Sequence, residues 1–99
     1  MTTLKVRHPI GGKMYDTMKA EEVHRIPGKV YEEDTRLYRS PKGQWFLAGK
    51  GDASSRWADK TPGGYISGKG IELLSDQEAQ KLMEETDGPV EDYFKLEEG

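Results

Sequence analysis

The chain has 99 residues, of which 33% are apolar and another 33% are charged. That length sets one domain with a thin core, and two Trp, five Tyr and two Phe supply the bulky apolar groups that a wholly disordered chain lacks. With no cysteine, disulfide frameworks and thiolate metal sites are excluded; Met1 to Arg7 has no signal-like apolar run, and no stretch approaches the roughly 18 apolar residues that a bilayer span needs. The expectation is therefore a cytoplasmic protein with no membrane partner.

The net charge of −3 is unevenly distributed. Residues 36–71 hold seven Lys or Arg against Asp52 and Asp59, whereas residues 72–99 hold ten acids against Lys81 and Lys95. Such a dipolar chain steers charged partners, unless the acidic end folds back onto the basic middle.

Leu4-Lys5-Val6 alternates like a short strand and meets a turn at Pro9-Ile10-Gly11-Gly12. Asp16 or Thr17 then caps a helix predicted over 17–25, with Ala20, Val23 and Ile26 as its buried stripe and Pro27-Gly28 as its stop. Lys29 to Asp34 reads as a connector. Residues 35–49 form the clearest element, a hairpin around Ser40-Pro41-Lys42-Gly43. Pro41 suits the first corner of a type I turn, and Gly43 the left-handed position that follows it. This turn pairs Arg39 with Trp45, Tyr38 with Phe46 and Leu37 with Leu47. Leu37, Leu47, Arg39 and Trp45 then share one face, and Tyr38 and Phe46 the other. Both faces are partly apolar, so each needs a cover and the hairpin is central.

Gly49 to Gly70 reads as irregular, with a short helical turn at Ser54 to Ala58. Ile71 to Leu74 is a strand leading into a helix over 76–86. Ser75 and Glu78 form a capping box there, Leu74 and Ala79 a hydrophobic staple, and Ala79, Leu82 and Met83 a buried stripe that Gly88-Pro89 ends. The tail docks through Tyr93 and Phe94, and residues 1–3 and 95–99 fray. The expected fold is thus α+β, a small, mainly antiparallel sheet with a central hairpin and two helices packed on it.

The motifs that could carry chemistry fail on their chemistry. Gly63 to Lys69 has phosphate-loop spacing, but Gly70 stands where the loop needs a Ser or Thr for Mg²⁺, and the next residues read as a strand. Gly49-Lys50-Gly51 is a turn. His8 and His24 have no partner at zinc-ligand spacing, and a helix end explains His24. No Ser is matched with a His, and the paired acids Glu21-Glu22, Glu32-Glu33 and Glu84-Glu85 show no sign of desolvation. The reading is no enzyme, no cofactor and no metal.

Two surfaces remain as binding candidates. Arg36, Arg39, Lys42, Trp45, Lys50, Arg56, Trp57 and Lys60 combine phosphate-neutralising cations with indoles that could stack on bases. The competing reading makes Trp45 and Trp57 core, with Arg39 lying over Trp45 as a cation–π cover. Glu91, Asp92, Glu97 and Glu98 form an acidic surface able to imitate phosphate spacing, or simply a solubilising tail.

Three blocks occur in order: Gly12-Lys13-Met14-Tyr15-Asp16-Thr17, then Leu37-Tyr38-Arg39 through Gly43-Gln44-Trp45-Phe46-Leu47-Ala48-Gly49-Lys50-Gly51, then Ile71 to Leu74 with Ser75-Asp76-Gln77-Glu78-Ala79. Together they resemble a group of small proteins of bacteriophages, prophages and other mobile elements. The chain departs from that pattern at Asp52, where the group has Gly, and at Leu82-Met83, where it has an aromatic. The resemblance implies a non-catalytic inhibitor or adaptor acting in a bacterial host on a protein or ribonucleoprotein complex, most concretely an anti-CRISPR-like inhibitor. The alternative is a small nucleic-acid-binding module using the basic-aromatic hairpin.

Overall fold

Alternating apolar side chains on both faces of one hairpin organise the chain into strands. The computed structural model describes residues 3–28 and 33–97. Its strands are β1 (Arg7–Ile10), β2 (Lys13–Asp16), β3 (Glu21–Ile26), β4 (Asp34–Arg39), β5 (Trp45–Gly51), β6 (Asp59–Thr61), β7 (Gly64–Ile66) and β8 (Gly68–Leu74). One helix, α1 (Asp76–Glu85), and a 3-10 turn at Val90–Asp92 follow. The central sheet has the order β3-β4-β5-β8, and β1-β2 and β6-β7 are separate two-stranded sheets, all antiparallel.

The α+β expectation is therefore corrected: 44% of the described residues are strand and 14% helical, and the helix predicted over 17–25 is strand β3. A bulge accounts for the misleading period. β3 pairs Glu22 with Tyr38 and then slips, so that His24 meets Leu37 and Ile26 meets Thr35. Val23 is the inserted residue, which turns a spacing of two into one of three. Val23 and Ile26 pack on one side of the sheet and Ala20 on the other, so the three residues share no stripe. The supposed cap residues work on the backbone elsewhere. Asp16 Oδ1 accepts the Met18 N–H (2.9 Å). The Thr17 hydroxyl accepts from Val6 N (3.0 Å) and donates to the Leu4 carbonyl (2.7 Å), holding residues 4–6 without a strand ladder.

The β4–β5 hairpin has the register read from its turn, with Arg39 opposite Trp45, Tyr38 opposite Phe46 and Leu37 opposite Leu47. Gly43 closes it at φ 89°, and its N–H donates to the Ser40 carbonyl (2.9 Å). Each face is covered, though by different elements than two helices. Leu37, Trp45, Leu47 and Leu74 lie under Ala79 and Met83 of α1. The ring of Tyr93 meets Trp45 edge-on at 5.3 Å, and that of Phe94 stacks on it at 5.6 Å, so the tail docks as expected. On the opposite face Tyr38, Phe46 and Ala48 are buried by Leu4, Val6 and Tyr15 from the N-terminal segment. The capping box of α1 is also in place, with Ser75 Oγ accepting from Glu78 N (3.1 Å) and Glu78 Oε1 from Ser75 N (2.9 Å). His24 sits at a helix end, but that of α1, where its Nε2–H donates to the Thr86 carbonyl (3.0 Å).

The glycine-rich stretch is more regular than expected. It extends β5 to Gly51, begins β8 at Gly68 and builds the β6–β7 hairpin; Ser54 to Ala58 is a pair of turns with no helix. Its purpose in the core is to seat Trp57. Gly49 and Gly70 lie opposite each other on β5 and β8, and the indole lies against both. Trp57 Nε1–H donates to Thr35 Oγ1 (2.7 Å) on β4. A Cβ on Gly49 would fall 2.1 Å from that nitrogen, whereas one on Gly63 would meet nothing within 4 Å. Gly49→Ala is therefore expected to cost about 1–3 kcal/mol of stability by overpacking, with Gly63→Ala near neutral. Urea denaturation of the two variants checks this, and equal midpoints would contradict the seat.

Candidate functional site

The basic-aromatic residues singled out in the sequence do not form one surface. Trp45 is 1% exposed and Trp57 9%, so neither indole presents a face for stacking on a base. Arg39 lies over the Trp45 ring at 5.2 Å, and Arg56 over Trp57 at 5.1 Å. Arg56 also pairs with Glu72 of β8. Lys42 stands exposed in the turn after β4, while Lys50 is exposed at the far end of β5, about 17 Å along the hairpin. Lys50 lies opposite Lys69, and Lys60 is exposed on β6. Beyond those two cation–indole pairs, Arg39 and Lys42 line one shallow opening, beside Lys19.

Arg36 is a structural cation. It is 3% exposed, and its Nε and Nη2 donate to the two oxygens of Asp34 (3.0 and 2.9 Å) while Nη1 donates to Glu22 Oε1 (2.7 Å). The forked geometry suits a carboxylate, and the bonds to Asp34 raise the pKa above its ordinary value against the opposing effect of burial, with Glu22 adding to them. Glu22, exposed on β3 just before the bulge, and half-buried Asp34 thus form an ion triad around this one buried guanidinium. Tyr38, two residues on along β4 and nearly inaccessible, donates weakly to the same Glu22 oxygen (3.4 Å).

Of the acidic surface, Glu91 and Asp92 occupy the exposed 3-10 turn and Glu97 is exposed beyond it; Glu98 lies outside the described residues. Neighbouring Tyr93 is committed inward, its hydroxyl donating to Glu21 Oε1 (2.8 Å). Among the described residues no three His, Asp or Glu side chains are grouped to hold a metal ion. The phosphate-loop spacing at Gly63 to Lys69 takes in all of β7 and the start of β8, so strand follows it where the loop needs a helix.

A different site emerges where the N-terminal hairpin passes the Ser40–Gly43 turn. A groove of about 570 Å³ opens there, with Arg7, Lys13, Lys19 and Lys42 as its cations and Asp16 as its carboxylate. Asp16 is already engaged by Arg7 (3.7 Å), so the groove is strongly cationic. Met14, 50% exposed, gives it an apolar wall, and Tyr15 and Phe46 line it from the buried cluster beneath. The signal for its frame was present in Gly11-Gly12, where left-handed φ values of 59° and 80° turn β1 into β2. Its charge was hidden because Arg7, Lys13, Lys19 and Lys42 are scattered in the chain and meet only through folding. No protein-family model, curated protein or solved structure matches the chain.

Burial, and then the Glu22 carboxylate, push the Tyr38 phenol up to about 12. The unfolded phenol ionises near 10, so the folded state keeps a proton that the unfolded state has lost between those values, and stability falls as pH rises through that window. About 2 kcal/mol should disappear between pH 10 and 12. Urea midpoints measured across that range should fall more steeply for the native chain than for Tyr38→Phe; equal slopes would contradict the assignment.

Proposed function

We propose that this chain is a non-catalytic binding protein that inhibits or adapts a host complex by protein–protein contact. The cationic groove between β2 and the Ser40–Gly43 turn carries this reading, because it offers charge, an apolar wall and an open mouth on one side of the molecule. The described polar side chains support it as well: none is buried without a hydrogen-bond partner, and Arg36, Thr17 and His24 serve to hold backbone and strands in place. The phage-type setting and an anti-CRISPR-like target rest on the sequence pattern alone, whose hairpin and capping box are scaffold parts here. The nucleic-acid alternative loses its stacking element through the burial of Trp45 and Trp57.

Affinity capture with the native chain from bacterial host lysate is expected to recover a partner in stoichiometric amount. A chain with Lys13→Glu and Lys42→Glu should recover less of it as opposite charges at the groove are lost. Capture of nothing from several hosts would overturn the reading.

A further inference from the structure

We infer that the free edge of β2 and the groove beside it take an extended acidic peptide of a partner protein, added as a third strand to the β1–β2 sheet; this rests on reading the chain as a contact protein. Among the described residues β2 pairs only with β1. All four of its residues, Lys13 to Asp16, line the groove, although consecutive side chains of a strand point to opposite faces. What four consecutive residues share is an edge, so the groove runs along it.

The hairpin register identifies the backbone groups on that edge. The two-residue turn makes Ile10 and Lys13 the bonded pair that closes the hairpin, and bonded pairs alternate thereafter to His8 and Tyr15. Met14, opposite Pro9, therefore turns its N–H and C=O away from β1; proline, with no N–H to give, fits this non-bonded position. Asp16 faces the same way, but its carbonyl already accepts the Lys19 N–H (3.1 Å). An incoming strand would bond to Met14, and alternate side chains of that strand would meet the groove.

Charge and surface type select the occupant. Lys13, Lys19 and Lys42 call for carboxylates at intervals, and the exposed thioether of Met14 suits an aliphatic side chain between them. A polynucleotide suits the site less well. The aromatic rings lining it, Tyr15 and Phe46, belong to the buried cluster, and the acid-rich residues 72–99 repel a long polyanion.

The test uses the full chain and a fluorescein-labelled peptide alternating Glu and Val, with a Lys and Val peptide and an oligothymidylate as comparisons, read by anisotropy. The acidic peptide should bind, and best at low salt. Met14→Pro, which removes the outward N–H without breaking a bond to β1, and separately Lys13→Glu with Lys42→Glu, should each weaken it at least about tenfold. Circular dichroism establishes that each variant is folded, and if Met14→Pro is not, the charge reversals decide. Unchanged binding by the folded variants, preference for the oligonucleotide, or self-association that blocks the groove would each overturn the inference. A host partner captured equally well by the groove variants would sink the groove assignment and leave the contact-protein reading standing. Peptide binding at the groove with no host partner would do the reverse.

Discussion

The structure depends on a hairpin that is apolar on both sides. Leu37, Trp45 and Leu47 face one way and Tyr38, Phe46 and Ala48 the other, so neither face of the β4–β5 pair tolerates water. One cover alone would leave half of these side chains exposed. The chain answers with its two ends: the N-terminal segment closes one face, and α1 with the Tyr93-Phe94 tail closes the other. Flanking strands β3 and β8 satisfy the edges of the hairpin and carry the sheet to four strands.

What was legible in the sequence was local. The hairpin register follows from a four-residue turn, the start of α1 from Ser75 and Glu78, and the docking of the tail from two adjacent aromatics. What was hidden depends on pairing across distance. Ala20, Val23 and Ile26 imitate a helical repeat only because a bulge inserts Val23, and the bulge becomes visible once β4 lies alongside. The Gly49–Gly70 seat for Trp57 exists only in the register of β5 with β8. β6 and β7 escaped notice because three-residue strands among Gly and Pro carry almost no periodic signal. The cationic groove is the extreme case, its members being drawn from β1, β2, the turn between β2 and β3, and the central turn.

Cations in this molecule have two distinct employments, and residue type alone does not separate them, since Arg7 lines the groove while other arginines serve the fold. Buried Arg36 uses its planar fork to bind Asp34 and Glu22 at the rim of the sheet, and Arg39 and Arg56 lie over indoles. The lysines at 13, 19 and 42 are left around an opening. A basic patch counted from composition mixes these classes, which is why the set read from the sequence dissolved on folding. The division also isolates the electrostatics of the groove from those of the core, so its lysines can be changed without unpairing a buried ion.

The two indoles sit on the same face of the sheet but answer to different neighbours. Trp45 is clasped by Tyr93 and Phe94 from the end of the chain, while Trp57, hydrogen-bonded through its nitrogen to Thr35, pins the loop that leads into β6. Their emission therefore divides the molecule optically. A chain retaining Trp45 alone would register release of the tail, and one retaining Trp57 alone would register lifting of the loop from its glycine bed, so the order in which the two coverings come away could be watched one colour shift at a time.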